Sequence, residues 1–295
     1  MNDIAVIVVN WNACADLKAC LTSLYSYPPG AITFEVWVVD NASSDKSVEM
    51  VRREFPQVHL IENSENVGFS KANNQAIRES NTKYVFLLNS DATVHSGAIE
   101  TLGKYANEHP TSAIIGPKVL NTDGSLQFSC RRFPVIWAGF FRNTLLGRLA
   151  PNNKFARAYL MADFDHSKTG TVDWLSGCAM FIRRDLIGVI GPLDERFYMY
   201  CEDVDICWRA WNIGQKVVYM PDAVVTHAIG RSSDKNAEKM IVEFHRSWFE
   251  YDKIRHPNDN PLRRAVVFSG LWLRAAIRIF NRRNAERRRR NHETK

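Results

Sequence analysis

The sequence predicts an α/β fold built on a mainly parallel sheet, and three observations carry that prediction. Ile4-Ala5-Val6-Ile7-Val8-Val9 and Tyr84-Val85-Phe86-Leu87-Leu88 are unbroken apolar runs, shorter than an ordinary helix and without polar alternation, the pattern of strands covered on both faces. Between such runs lie segments with apolar residues at helical spacing, as in Leu17, Leu21 and Leu24, and a strand–helix alternation implies right-handed crossovers. The runs also end abruptly in polar residues, Asn10, Asp40 and Asn89-Ser90-Asp91, at the strand ends where open α/β sheets bind ligands.

The elements follow in order. A first strand from Ile4 to Asn10 is ended by Trp11-Asn12, and a helix is expected from Asp16 to Leu24. Phe34-Glu35-Val36-Trp37-Val38-Val39-Asp40 reads as a second strand, followed by the capping-rich Asn41-Ala42-Ser43-Ser44-Asp45. A helix through Val48, Val51 and Phe55, a short strand Val58 to Ile61, a loop Asn66-Val67-Gly68-Phe69-Ser70 and a helix from Lys71 to Ser80 lead into the strand at 84–88. Taken alone, Asn89-Ser90-Asp91 also reads as a turn capping a helix that starts near Ser96. Ile114 to Leu120 and Leu126 to Phe128 make a hairpin across Asn121–Ser125, and 133–168 mixes Pro, aromatic and basic residues without a period. Val172 to Ile182 returns to strand character, a helix begins near Glu202, and Gln215–Pro221 and Ala223–His227 are further strands. A helix near Glu238–Asp252 and a breaker at His256–Pro261 precede a basic, apolar C-terminal segment.

Composition bounds the function. With 295 residues, 45% hydrophobic and 24% charged, the chain is an ordinary globular protein, large enough for one big domain or two small ones. Six cysteines without a C-x-x-C pair, and a start at Met1-Asn2-Asp3 that leads directly into a strand, predict reduced thiols and a cytoplasmic address. No window offers the ~18 apolar residues of a membrane-spanning helix. Eleven Lys/Arg against two Glu give residues 262–295 a charge of +9, so a chain of net +6 is otherwise slightly acidic. Neither a G-x-G-x-x-G after the first strand nor a P-loop is present, which excludes the common dinucleotide and nucleoside-triphosphate folds.

In this order and with these gaps, Val8-Val9-Asn10-Trp11-Asn12, Val38-Val39-Asp40-Asn41-Ala42-Ser43-Ser44-Asp45, Asn66-Val67-Gly68-Phe69 with Asn73-Asn74, and Leu88-Asn89-Ser90-Asp91 resemble the family-2 inverting glycosyltransferases of GT-A fold. The resemblance implies a nucleotide-sugar-binding half (1–115), an acceptor-binding and catalytic half of the same domain (116–230), and C-terminal helices with a basic amphipathic tail (231–295). By the same resemblance, the nucleotide-sugar would be bound by Val9, Asn10, Asn12, Asp40, Asn41, Gly68, Asn73, Asn89 and Ser90, with Asp40 accepting from a uracil or thymine N3–H. Asp91 would hold Mg²⁺ or Mn²⁺, hard ions that suit carboxylate and phosphate oxygens. Asn89 stands where the family's D-x-D has its first acid, so one ligand charge is missing. His227, which alone reads as a structural residue at a strand end, matches the family histidine that reaches the metal or diphosphate.

The run Glu202-Asp203-Val204-Asp205 resembles the family's E-D-x-D motif; read without it, the same residues are an acidic first helical turn favoured by the dipole. An inverting transfer needs one base to take the acceptor hydroxyl proton, which would be Asp203, or else Glu202, with Asp205 and Arg209 in support. Asp173, Trp174 and Gly177 would face the acceptor, and 133–168 would cover it, although a packed core aromatic is an equal reading of Trp174. The whole pattern looks most like rhamnosyltransferases using dTDP-L-rhamnose; galactofuranosyl, glucosyl and N-acetylhexosaminyl transfer share these motifs. The acceptor would be a growing or polyprenyl-diphosphate-linked glycan. Residues 262–295, with apolar bulk, Trp272 and flanking arginines, describe a helix on an anionic membrane surface, placing the protein peripherally on the inner face of the plasma membrane. The competing readings are a helix docked on the globular domain and a nucleic-acid-binding arm, and nucleic acid is not the expected partner. A non-catalytic, membrane-recruited nucleotide-binding relative is the alternative to an enzyme.

Overall fold

Strand runs that are apolar on every residue can only be satisfied between two layers, and the fold does this with one mixed, mainly parallel sheet flanked by helices. The computed structural model describes residues 2–27, 30–134, 154–228 and 237–293. The first half alternates as expected: β1 (Ile4–Asn10), α1 (Cys14–Ser26), β2 (Phe34–Asp40), α2 (Ser47–Glu54), β3 (His59–Glu62), α3 (Phe69–Glu79) and β4 (Tyr84–Asn89). β1 lies between β2 and β4, parallel to both, with Asn10 in register with Asp40 and Val9 with Asn89. Three polar strand ends therefore sit side by side on one edge.

Then the order departs from simple alternation. A short β5 (Ala92–Val94) intervenes before α4 (Ala98–Glu108), followed by β6 (Ser112–Leu120), β7 (Leu126–Gln127) and β8 (Cys130–Arg131). The hairpin of β6 and β7 is as expected. Residues 135–153, the middle of the expected acceptor-covering insertion, lie outside the described residues, and α5 (Lys154–Tyr159) follows them. The run Val172–Ile182, expected as one strand, is divided into β10 (Trp174–Leu175) and β11 (Ala179–Arg183), after β9 (Gly170–Thr171). Ser176-Gly177-Cys178 turns the chain between them because β10 pairs with β8 outside the main sheet, whereas β11 enters it antiparallel between β4 and β6. A helix that periodicity did not suggest, α6 (Arg184–Ile190), comes next. α7 (Glu202–Asn212) starts at the expected residue, and the two expected C-terminal strands are one, β12 (Lys216–His227), with an irregularity between Met220 and Val224. The main sheet runs β3-β2-β1-β4-β11-β6-β12-β5.

The core lies on both faces of that sheet. One side packs Leu17, Leu21 and Leu24 of α1 with Met50 and Leu102 against Val6, Val8, Phe86 and Phe181; the other packs α3, α6 and α7 against Ile7, Val85, Ile114 and Ile182. Burying a side chain of this size contributes about 1.5–3 kcal/mol each.

The C-terminal segment forms two helices, α8 (Ala237–Arg255) and α9 (Pro261–Glu293). α9 docks on α8 through Phe268 on Phe249 (ring centroids 5.2 Å apart), a buried Ala275, and ion pairs Arg263–Asp252 and Arg283–Glu238. The reading of a helix docked on the globular part thus holds for one face. Leu262, Val266, Leu273, Ile277 and Phe280, 51–72% exposed, fall within about 60° of arc on the other, at the helical turn of roughly 100° per residue. No described helix is long and apolar enough to cross a membrane.

Candidate active site

The sheet edge at Asn10 and Asp40 is built by strand ends that bond one another. Asp40 is 3% exposed, and its carboxylate accepts from Asn10 Nδ2 (2.9 Å), Ser43 Oγ (2.6 Å) and Ser43 N (2.8 Å). A carboxylate offers about four lone-pair directions, so roughly one remains at Oδ2. Asn10 Oδ1 is buried with no partner. Asn12, at φ 53°, accepts Ser44 N on its side-chain oxygen (2.7 Å), which fixes the loop after β2 against the loop after β1. Asn41 reaches the N-V-G-F loop, donating to Gly68 O (3.2 Å).

Gly68 has a plain steric reason. At φ 87° it lies against Tyr198, so that a Cβ there would come within 2.5 Å of the Tyr198 carbonyl oxygen. Phe69 N donates to that same oxygen at 2.7 Å, which ties the Asn66–Phe69 loop to the segment just ahead of Glu202. Asn73 donates Nδ2 back to Phe69 O (2.9 Å) at the start of α3. Its neighbour Asn74 holds Leu193 and Glu195, a contact that spacing along the chain did not suggest.

Asn89-Ser90-Asp91 leads from β4 into β5, and the antiparallel pairing of β5 with β12 sets His227 opposite Ala92. His227 Nε2 lies 3.2 Å from Asp91 Oδ1 and 3.2 Å from Asn89 Nδ2. The orientation of the ring follows from Gln127, whose Nε2 donates to Asn121 Oδ1 (2.9 Å) and to His227 O (3.1 Å). Gln127 Oε1 is therefore the acceptor that meets His227 Nδ1 at 2.8 Å. Nδ1 donates to that oxygen, which leaves Nε2, facing the Asp91 carboxylate, as the ring nitrogen open to a cation. Two converging electron-pair donors with a hydrogen-bonded outer partner suit a cation better than each other. Among the described residues no group of three or more His, Cys, Asp or Glu gathers in this way.

The carboxylates of α7 come to the same region through the Ser176–Cys178 turn. Gly177 N donates to Asp203 Oδ2 (3.0 Å), and Asn89 N donates to Cys178 O (2.9 Å), so adjacent residues of one turn join Asp203 to the end of β4. A Cβ on Gly177 would touch the Asp203 side chain at 3.4 Å. Cys178 lies between the acids: burial pushes its thiol up to about 11, and the charges of Asp91 and Asp203 add to that. Glu202 is 6% exposed with Oε2 unpartnered. Burial, then the neighbouring Asp203 charge, raises the Glu202 pKa well above the carboxylate range; burial also raises that of Asp203, against the Gly177 and Val204 N–H groups. A helix dipole favours a first-turn anion by about 0.3–1 kcal/mol, and here burial outweighs it.

Asp205 and Arg209 pair with each other. Arg209 donates to Asp205 Oδ2 (2.7 Å) and to Ile190 O (2.6 Å), bracing α7 against the end of α6. Asp173 and Trp174, expected on the acceptor side, are engaged within the protein. Asp173 accepts from Arg132 (3.0 Å) and Phe133 N (2.7 Å), and the 7%-exposed Trp174 donates to Arg132 O (2.8 Å). β10 pairs with β8, which sets Trp174, and Asp173 just ahead of it, against the 131–133 segment and makes Trp174 the packed aromatic. Gln127, Ser43 and Tyr198 were not singled out from sequence. Only Ser43, inside the motif at 38–45, had a signal there.

Residues 5–190 match the family described as Glycosyl transferase family 2. Among curated proteins, the N-acetylglucosaminyl-diphospho-decaprenol L-rhamnosyltransferase of Mycobacterium tuberculosis is 28% identical, covering 94% of this chain and 95% of that one. The dTDP-rhamnosyl transferase RfbF of Shigella flexneri is 23% identical, over 79% of this chain and 72% of its own length. Among solved structures, the mannosyltransferase PcManGT of Pyrobaculum calidifontis with GDP-Man and Mn²⁺ superimposes with a TM-score of 0.57 at 18% identity, over 94% of this chain and 75% of that one. GalNAc-T7 with UDP, GalNAc and Mn²⁺ gives 0.59 at 16% identity, over 77% of this chain and 44% of the other. These likenesses assign the sheet and its helices to the GT-A fold.

Proposed function

The chain belongs to glycosyl transferase family 2 and is a glycosyltransferase, and from that premise we propose that it transfers L-rhamnose, with inversion, from dTDP-L-rhamnose to a hydroxyl of a polyprenyl-diphosphate-linked glycan. The observation that carries the reading is the Gly177 turn, which brings Asp203 to the end of the strand that leads through Asn89 to Asp91.

Each group has a role that its geometry suits. Asp40, held by Asn10 and Ser43, keeps one lone pair for the N3–H of the base, while Val9, Asn12, Asn41, Gly68 and Ser90 line the same edge. Asp91 and His227 would hold Mg²⁺ or Mn²⁺, which when bound supplies positive charge against the diphosphate as it leaves. Two protein ligands are few, and the missing acid at Asn89 is consistent with the donor's phosphates completing the shell. Asp203 takes the proton of the acceptor hydroxyl as that oxygen attacks the anomeric carbon from the face opposite the diphosphate. Its raised pKa makes it a stronger base than an ordinary aspartate once ionised, and the Gly177 N–H fixes its direction. Glu202, more deeply buried and more strongly raised, suits a neutral neighbour better than a base.

An acceptor on a lipid must be met at a bilayer. The exposed stripe Leu262, Val266, Leu273, Ile277 and Phe280 supports α9 lying on an anionic membrane, with Arg278 and Arg287 among the basic residues near it.

The test is release of dTDP from dTDP-L-rhamnose, with Mn²⁺ and a polyprenyl-diphosphate-linked N-acetylglucosamine, and the anomeric configuration of the product by NMR. Inverted product is expected. No nucleotide release from this donor, with release from a UDP- or GDP-sugar, would replace the donor assignment. Co-sedimentation with phosphatidylglycerol vesicles is expected to be lost in Leu273→Glu/Ile277→Glu; equal sedimentation would remove the membrane seat.

A further inference from the structure

Tyr200 and Cys201 stand at φ 71° and 70° directly ahead of Glu202 and Asp203. Side-chain-bearing residues rarely adopt this conformation, and two in succession persist only where the surroundings over-determine them. From the donor side, Phe69 N donates to Tyr198 O and Tyr198 Oη to Asn66 Oδ1 (2.9 Å). The other restraints come from α8, which lies beyond the family match at 5–190. Ser247 Oγ donates to Met199 O at 2.8 Å, the Phe244 ring meets Tyr200 edge-on at 5.4 Å, and Lys239 Nζ lies 4.8 Å from the Tyr198 ring centroid.

Resting on Asp203 as the base, we infer that Ser247 is a positioning residue for the transfer: through Met199 O it fixes the turn that aims the Asp203 carboxylate, and so makes the C-terminal helix pair part of the catalytic apparatus. Met199 O belongs to the peptide that enters the two left-handed residues, so a hydrogen bond on it sets the plane from which both are built. Ser247 is 2% exposed, and replacing its hydroxyl leaves that carbonyl with no substitute donor from the side chain. The peptide plane can then tilt, and the turn hands the displacement to the first residues of α7, where Asp203 meets Gly177 N. The Asn10–Asp40–Ser43 cluster makes no hydrogen bond with α8 and is untouched. The signature of this role is therefore a loss in kcat without a loss in donor KM.

The experiment uses the full chain and steady-state kinetics against dTDP-L-rhamnose. Ser247→Ala is expected to lower kcat about tenfold, as a misplaced reactive group does, with donor KM within about twofold, and Ser247→Thr to recover most of the loss. Val51→Ala, a core truncation on α2, is the stability control: it is expected to lower Tm at least as far with kcat unchanged. Wild-type kcat in Ser247→Ala overturns the inference, as does a loss confined to KM or an equal kcat loss in Val51→Ala at equal Tm. Asp203→Asn separates the two levels. If it is inactive while Ser247→Ala is normal, only the positioning role falls; if it is active, the base assignment falls and takes the positioning role with it.

Discussion

Asp40, at the end of β2, and Glu202–Asp203, at the start of α7, are carboxylates treated in opposite ways. Asp40 ends a strand and has three hydrogen bonds from two neighbours that are themselves interlocked. Glu202 and Asp203 follow two left-handed residues, are packed side by side, and leave Glu202 Oε2 with no donor. A satisfied carboxylate holds a shape, and an under-satisfied one holds a proton. On the proposed function, the Asp40 edge is preorganised to bind, whereas burial raises Glu202 and Asp203 toward the proton affinity that a base for a hydroxyl needs.

Replacing the acid on each side should break this contrast differently. Asp203→Asn, which keeps shape and removes basicity, is expected to cut kcat by roughly 10²–10⁴-fold, with dTDP binding by calorimetry near wild type. A variant within tenfold of wild type would remove Asp203 as the base. Asp40→Ala strands Ser43 N and one of the two N–H groups of Asn10 Nδ2, each unmet group costing about 1–3 kcal/mol. Weaker nucleotide binding and a lower Tm should appear together, and loss of kcat alone would contradict a binding role. Between the two lie Asp91 and His227, which face each other at 3.2 Å. Gln127→Leu removes the acceptor that fixes the His227 tautomer, and is expected to weaken Mn²⁺-dependent donor binding by about 10–100-fold; identical calorimetry with and without Mn²⁺ would argue against a metal there.

The smallest effect sharpens the comparison through pH. Because the folded-state pKa of Glu202 is raised, its contribution to stability is complete below the ordinary 4.5 and is lost as pH rises through the raised value. Glu202→Gln, neutral throughout, should match wild type in Tm at low pH and exceed it by a few degrees at alkaline pH. A flat difference across pH would mean that Glu202 is not held in its neutral form. The acid limb of kcat/KM should lie above the usual carboxylate range, since Asp203 must be ionised to act and burial raises its pKa.

Legibility followed the same divide. β1, β2 and β4 were readable because a strand buried on both faces has no polar alternative, and their terminal Asn10, Asp40 and Asn89 inherit positions from the strands themselves. The start of α7 at Glu202 was readable too, from three acids ahead of an apolar face. Val172–Ile182 misled because strand character says nothing about which sheet accepts a residue. Trp174 pairs with β8 and Ala179 with β4, and the turn between them makes the Gly177 contact. The partners of Asp173 and Trp174 in the 131–133 segment were hidden for the same reason. α9 read as a membrane-facing helix because apolar and basic content is visible, while the partner covering its opposite face is not.

By itself the sequence determined what is local: which segments are buried, where strands end, and which polar residues those ends display, since side-chain period and conformational preference act over a few neighbours. Tertiary structure decided what is remote. β5 paired with β12 to bring His227 to Asp91, β11 entered between β4 and β6 to bring Gly177 to Asp203, and Gln127 met His227 from 100 residues away. Those meetings depend on the order of strands in the sheet, which is set by how whole layers pack and not by the period of any one run.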